Sequence, residues 1–404
     1  MNGLLKKLHR FVEMPAFPVL LALSASHCLN DLLQSVITAV YPMRKDDLSL
    51  NFAQIGLIRL VYQMAASIFQ PVVGYAFDRR PFVASLPLGM VCTSVGIVLF
   101  ACAPTLPVVL LAVFMVGIGS ATLHPEASRI TSLAGHERRG FAQSVFQVGG
   151  NFGSSVGPLL VALIVAPYGR RYILWFLIFA ALCFAAMRPI CRWYRNYLSE
   201  QSSAAKKKSG HATLPLSKGK TAFAIGIIVV LIFSKYIYMA CMSSYFTFYL
   251  IDKFGVSISA SQVYLFVFVI STAIGTLVGG PFGDKYGRKA VIWASLLGTA
   301  PFSILLPHVS LPIAVAMGFC SGFMLSSAFP SILLYAQELL PTRLGMISGL
   351  FFGFAFGVGG VASAALGGFA DKYGIETVFN FCCFTPLLGI VAALLPDLKN
   401  RAGN

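Results

Sequence analysis

Charge is scarce in this chain of 404 residues: 11% are Asp, Glu, Lys or Arg, and only 14 are acidic. Soluble domains carry about 25% charged residues, so a soluble fold would lack a polar surface, and disorder is excluded on the same ground. The alternation of a membrane β-barrel is missing, because the apolar runs are long and unbroken. No glycine-rich loop carries a Walker lysine, so ATP is not the expected driving force. The nine cysteines all fall inside apolar stretches, none with a His or Cys at metal-ligand spacing. They read as small buried hydrophobes, and no metal, organic cofactor or catalytic residue is expected. The basic start, with Lys6, Lys7 and Arg10, precedes an apolar run that holds His27, Asn30 and Asp31. A signal-peptide core would not tolerate those residues, so the run reads as a retained first span.

What is abundant is apolar: 57% of residues, with a mean hydropathy of +0.80. At about 20 residues per spanning helix, this length holds roughly 12 spans with short loops. Apolar runs fall near 16–41, 52–77, 82–103, 106–133, 141–166 and 172–191, then near 221–251, 259–280, 290–307, 311–339, 346–368 and 376–395. The expectation is an all-α membrane protein with an N-terminal six-helix bundle over 1–191, a basic cytoplasmic linker over 192–220 and a C-terminal six-helix bundle over 221–404.

The net charge of +16 would suggest nucleic acid on a soluble protein; its distribution here suggests topology instead. With the N-terminus inside, 21 of the 30 basic residues are cytoplasmic, among them Arg79, Arg80, Arg138, Arg139, Arg188, Arg192, Arg195, Lys206, Lys207, Lys208, Lys285, Arg288, Lys289, Arg343, Lys399 and Arg401. Outside lie Arg44, Lys45, Arg170, Arg171, Lys253 and Lys372, and within the spans Arg59, Arg129 and Lys235. The positive-inside rule then places both termini in the cytoplasm. The halves also repeat. Gly74-Tyr-Ala-Phe-Asp78-Arg79 matches Gly280-Pro-Phe-Gly-Asp284-Lys285, and Pro125, Arg138, Gly140 and Phe146 match Pro330, Arg343, Gly345 and Phe351 at nearly one offset. Six spans, a linker and six related spans are the pattern of a duplicated transporter.

Ionisable residues inside spans are costly and therefore point to function. Asp31 lies about 15 residues into the first span and Lys235 about 15 into the seventh. His27 is one turn before Asp31, on the same helical face. Asp31 is a candidate proton carrier, with His27 beside it and Glu126 as a second carboxylate. Lys235 is the candidate holder of an anionic substrate, with Tyr236, Tyr238 and Tyr245 nearby; Asn30, Arg129, Arg59, Gln147 and Asn151 are further lining candidates. Structural alternatives stand beside these: a static Asp31–Lys235 pair, a Glu126–Arg129 pair at i, i+3, an interfacial Arg59, and helix packing through Gln147 and Asn151.

The segment from Gly280 to Lys289 resembles the signature cytoplasmic loop of the major facilitator superfamily, and Asp78-Arg79-Arg80-Pro81-Phe82 is a degenerate copy. The resemblance implies a conformational latch formed by Gly74, Asp78 and Arg79 and by Gly280, Asp284, Lys285, Gly287 and Arg288. Gly149, Gly153, Gly157 and Pro158 resemble a glycine-rich motif of antiporters in the same superfamily, and glycines at i, i+4 let helices approach closely. The stretches SHCLNDLLQS, HPEASR, AQSVFQVGGNFGSSVGPLL, FSKYIYMACMSSYFTFYL and YAQELLPTRLGMISGLFFGFAFG resemble the fosmidomycin-resistance group of that superfamily's drug exporters. That implies a monomeric, proton-gradient-driven antiporter of a bacterial inner membrane. It would export a small phosphonate or other organic anion, contact lipid and protons, and bind no nucleic acid. Proton-linked uptake of an organic anion is the alternative, and a non-transporting receptor the reading from another class.

Overall fold

The computed structural model describes residues 16–40, 44, 47–50, 52–205, 216–256 and 258–398. Lys6, Lys7, Arg10, Lys45, Lys206, Lys207, Lys208, Lys399 and Arg401, which entered the charge distribution, lie outside the described residues. Among the described residues there is no strand. The principal helices are α1 (Phe17–Ala39), α2 (Phe52–Arg79), α3 (Ser85–Cys102), α4 (Leu106–Ala134), α5 (Arg139–Leu160), α6 (Leu177–Ala205), α7 (Lys218–Phe254), α8 (Ile258–Tyr286), α9 (Arg288–Leu305), α10 (Leu311–Leu339), α11 (Leu344–Tyr373) and α12 (Ile375–Cys382), the last extended by a 3-10 stretch, Thr385–Leu394.

Among the described residues, ten helical stretches are long and apolar enough to cross a membrane. The two long helices outside that set are α1 and α5, of 23 and 22 residues. Their apolar content is diluted by His27, Asn30, Asp31 and Gln34 on α1, and by Gln143, Gln147, Asn151 and five glycines on α5. These helices carry the candidates His27, Asn30, Asp31, Gln147 and Asn151, and they pack along one another.

The chain forms two compact units. The first comprises 1–212 with 342–353, and the second 213–341 with 354–404. In the first, α2 and α3 pack on α4; in the second, α8 and α9 pack on α10 in the same way. The turns repeat too. Gly169, before α6, and Gly374, before α12, both adopt positive φ, 94° and 83°, at the spacing that relates Pro125 to Pro330. Gly287 has φ 95° at the start of α9. Proline at the corresponding Pro81 fixes φ near −65°, so the loop after α2 takes a different path to α3.

The stretch read as a linker from Arg192 is helical through Ala205. Trp193 stacks on Tyr197, with ring centroids 5.3 Å apart, and Tyr194 is buried. Aromatic packing therefore carries α6 past the last apolar residue of its span.

Candidate functional site

Asp31 is the centre of the first unit's polar cluster. Its Oδ2 lies 3.2 Å from His27 Nε2, one turn away on α1, and its Oδ1 lies 3.3 Å from His124 Nε2 on α4. Asn30 Nδ2 donates to Oδ1 at 3.2 Å. Both imidazoles are buried, whereas the Asp31 side chain keeps 14% of its exposure. His27 is held by stacking on Phe146, with centroids 4.1 Å apart, and meets His124 edge-on at 5.0 Å. The ring fits because α5 has glycine at 150, where any Cβ would collide with it.

The far nitrogens decide the protonation chemistry. His27 Nδ1 donates to the Phe146 carbonyl at 2.8 Å, and His124 Nδ1 to the Ser120 carbonyl at 2.9 Å. Carbonyl oxygens only accept, so each Nδ1 carries its hydrogen. Each Nε2 then faces a carboxylate oxygen, and a favourable contact there needs a proton between the two. Satisfying both contacts places two protons among three side chains, for a net charge of +1. Loss of one leaves a lone pair facing a lone pair, an unfavourable arrangement in a buried site. Pro125 follows His124 inside α4 and has no N–H for the carbonyl one turn back, so this stretch is a natural place for side chains to take over backbone partners.

Glycines seat α5 against α1. A Cβ at Gly149 would strike Ser24, one at Gly153 would strike Cys28, and one at Gly157 would strike Ser35, a row of close approaches at i, i+4. Pro158 follows on the same helix. Gln147 Nε2 donates to Asn151 Oδ1 at 3.2 Å, and Gln34 accepts from Tyr62 at 2.6 Å. Arg59, on α2, is exposed and contributes nothing to the Asp31 cluster. Gly153-Ser-Ser-Val-Gly157 has the spacing of a hydrolase nucleophile elbow, which needs a strand-to-helix turn. Here it lies within α5, with Ser155 Oγ donating to Asn151 O at 2.8 Å.

A second buried network lies farther along α4. Arg129 donates to both carboxylate oxygens of Glu126, at 2.9 and 2.7 Å, and to the Tyr194 hydroxyl. Its Nε is 3.9 Å from Asp78 Oδ1. Asp78, near the end of α2, accepts the backbone N–H of Gly345 at 2.9 Å and of Met346 at 2.8 Å. Those N–H groups are in the first turn of α11, where the unpaired donors and the helix dipole both favour a carboxylate. Gly74, one turn earlier, lets the backbones approach, since a Cβ there would meet Gly345 O. Arg79 instead covers the Tyr75 ring at 4.6 Å.

In the second unit Lys235 of α7 is 4% exposed. Its Nζ sits 4.7 Å from the Phe329 ring centroid and 5.6 Å from that of Tyr236, both within cation–π range. Tyr238 donates to Ser321 Oγ at 3.2 Å and Tyr245 to Ser363 O at 2.5 Å, so both of those hydroxyl protons are already engaged. At the end of α8, Asp284 pairs with Arg288 at 2.6 Å, and Arg288 also reaches Glu338 at 3.3 Å. Lys285 lies over Tyr286 at 4.7 Å. Gly280 is buried in α8, and Gly287 makes the left-handed turn. This loop, with Trp293, Tyr335 and Asp397, lines a cavity of about 780 Å³.

Sequence reasoning reached Asp31, His27, Glu126 with Arg129, and Lys235. It missed His124 and Tyr194 as partners. The available signal was that His27 and His124 are the histidines inside the polar, glycine-interrupted spans; Tyr194 had none, since it lies beyond its apolar run.

Comparison with known proteins bears on what such a cluster serves. A sequence model of the Major Facilitator Superfamily matches residues 23–271 and 249–404. The chain is 51% identical to the fosmidomycin resistance protein of Escherichia coli K12 over 96% of this chain and 94% of that one. It is 40% identical to an uncharacterized transporter of that superfamily, YfnC of Bacillus subtilis, over 95% and 94%. Among solved structures it resembles the superfamily transporter FucP in its outward conformation (TM-score 0.74, 15% identity, 94% and 98% of the chains) and the human organic anion transporter MFSD10 (TM-score 0.71, 15% identity, 94% and 99%). The glycine-seated α1–α5 pair, the helix-capping Asp78 and the repeated packing of two helical units thus have their place: this chain is a multi-pass membrane transporter that belongs to the Major Facilitator Superfamily.

Proposed function

We propose that this protein is a proton-coupled exporter of small organic anions, phosphonates resembling fosmidomycin among them. In this reading it crosses a bacterial inner membrane twelve times as a monomer, with both termini in the cytoplasm. The observation that carries the coupling is the half-buried Asp31 carboxylate between two buried imidazoles. Imidazole is the side chain whose charge changes near neutral pH, and a site filled by two protons at its Nε2 contacts can load and unload as access changes. Lys235, a buried cation with aromatic faces around it, is the anion-binding residue, and Tyr236 the hydroxyl beside it. The likeness to the fosmidomycin resistance protein supports the substrate class, and the glycine row on α5 supports antiport over uptake.

Exchange of one inward proton for one outward monoanion moves two charges. At about 2.3 kcal/mol per charge per 100 mV, this amounts to roughly 4.6 kcal/mol, and at about 1.4 kcal/mol per decade it sustains a gradient near a thousandfold without ATP. The test is a susceptibility panel in cells lacking endogenous pumps. Expression should raise resistance to fosmidomycin and related phosphonates and leave cationic drugs unaffected. An unchanged panel would contradict the export reading, and sensitisation to fosmidomycin would indicate uptake.

A further inference from the structure

The Asp31 cluster has the geometry of a metal site as well as that of a proton site. One ligand atom each from His27, Asp31 and His124 can be chosen so that all three lie within 4.8 Å of one another. His27 Nε2 lies 3.2 Å from Oδ2 and His124 Nε2 3.3 Å from Oδ1, so each imidazole meets its own carboxylate oxygen and an ion bound through one of them draws the other imidazole in. A tetrahedral zinc ion with bonds of about 2.0–2.1 Å holds its ligand atoms about 3.3–3.4 Å apart. Both imidazoles aim Nε2 at the carboxylate, and both hydrogen-bond their Nδ1 to a backbone carbonyl, Phe146 O and Ser120 O. That outer contact fixes ring orientation and raises ligand basicity in metalloprotein sites. Gly150 keeps the His27 ring in place without crowding it, and the partial exposure of Asp31 gives an ion an approach.

We propose that His27, Asp31 and His124 bind one divalent first-row cation of the zinc type, with a fourth position open to water. Two imidazoles and a carboxylate are borderline donors that suit zinc and cobalt better than magnesium or calcium. The ion occupies the space of the two Nε2 protons, so cation and proton loading exclude one another. The inference does not rest on the export reading, because binding is measured without any transport step.

The test is titration of the purified full-length chain, stripped with chelator, with Co2+ alone and then with Zn2+. The expected result is one Co2+ per chain with the visible absorption of a four-coordinate ion, displaced by Zn2+. Asp31→Asn and His124→Gln should each weaken binding at least about 100-fold, and His308→Gln, on an exposed histidine, should leave it unchanged. Should the site variants fail to fold, X-ray absorption of the zinc-loaded wild-type chain decides. Two imidazoles and an oxygen at about 2.0–2.1 Å support the site. Binding that is unaffected by the site variants, a sulfur shell near 2.3 Å, or no stoichiometric binding overturns it.

Discussion

His124 Nε2 on α4 meets Asp31 Oδ1 on α1 at 3.3 Å, a contact between helices that completes what His27 begins within one. Replacing His124 by Gln removes a charge-assisted partner of a half-buried carboxylate, an interaction of about 1.5–3 kcal/mol. Proton-driven export should fall at least about tenfold. The pH dependence that remains should be shallower than in the wild type, because one of the two proton positions is gone. Transport by proteoliposomes across a series of external pH values checks this; an unchanged profile would remove His124 from the proton site.

Gly150→Ala should disturb the same site while leaving its three side chains chemically unchanged. The added methyl meets the His27 ring, and overpacking of this kind costs about 1–3 kcal/mol. Gly359→Ala on α11, with open space around it, should be silent. Thermal unfolding in detergent and transport, measured together, should show the first variant impaired in both and the second in neither.

How far the site could be read from sequence follows from distance along the chain. His27 and Asp31 are four residues apart, so helical periodicity alone puts them on one face. Glu126 and Arg129 were legible for the same reason. His124 is remote in sequence, and only the packing of α1, α4 and α5 brings it to Asp31. The glycines at 149, 153 and 157 announced a close helix approach but not which helix would be approached. Asp78 was singled out through its loop motif, whereas the particular N–H groups of Gly345 and Met346 that it accepts depended on tertiary structure. The two halves were visible in the matched blocks around Asp78 and Asp284, yet Pro81 and Gly287 make their loops differ.

Asp78 holds the first turn of α11 through two backbone N–H groups. Asp78→Ala should lose both bonds, at about 1–2 kcal/mol for a cap of this kind, and lower the unfolding temperature. Asp78→Asn keeps one acceptor and should lie between Ala and wild type. Equal effects of Asn and Ala would show that charge, not acceptance, is the whole contribution.

Glu126 and Arg129 should be strongly non-additive. Removing one partner of a buried ion pair leaves the other uncompensated, at about 3–5 kcal/mol. Glu126→Gln or Arg129→Met alone should therefore destabilise more than the two together. A double-mutant cycle on detergent unfolding measures the coupling; additive effects would mean that the pair is not a unit.

Lys235→Ala should abolish export of anionic substrates by removing the buried cation. Lys235→Arg, which preserves charge with a different shape, should retain part of it with a raised KM. Uptake of labelled phosphonate into inverted vesicles gives both numbers, and full activity in Lys235→Ala would move the anion site elsewhere.

Whether Asp31 couples protons to transport is decided by substrate-driven proton flux in proteoliposomes containing Asp31→Asn. Anion addition should produce no proton movement and an imposed pH gradient should drive no substrate accumulation, in a variant that inserts and unfolds at a temperature close to wild type. Undiminished, gradient-driven accumulation by Asp31→Asn would contradict that coupling.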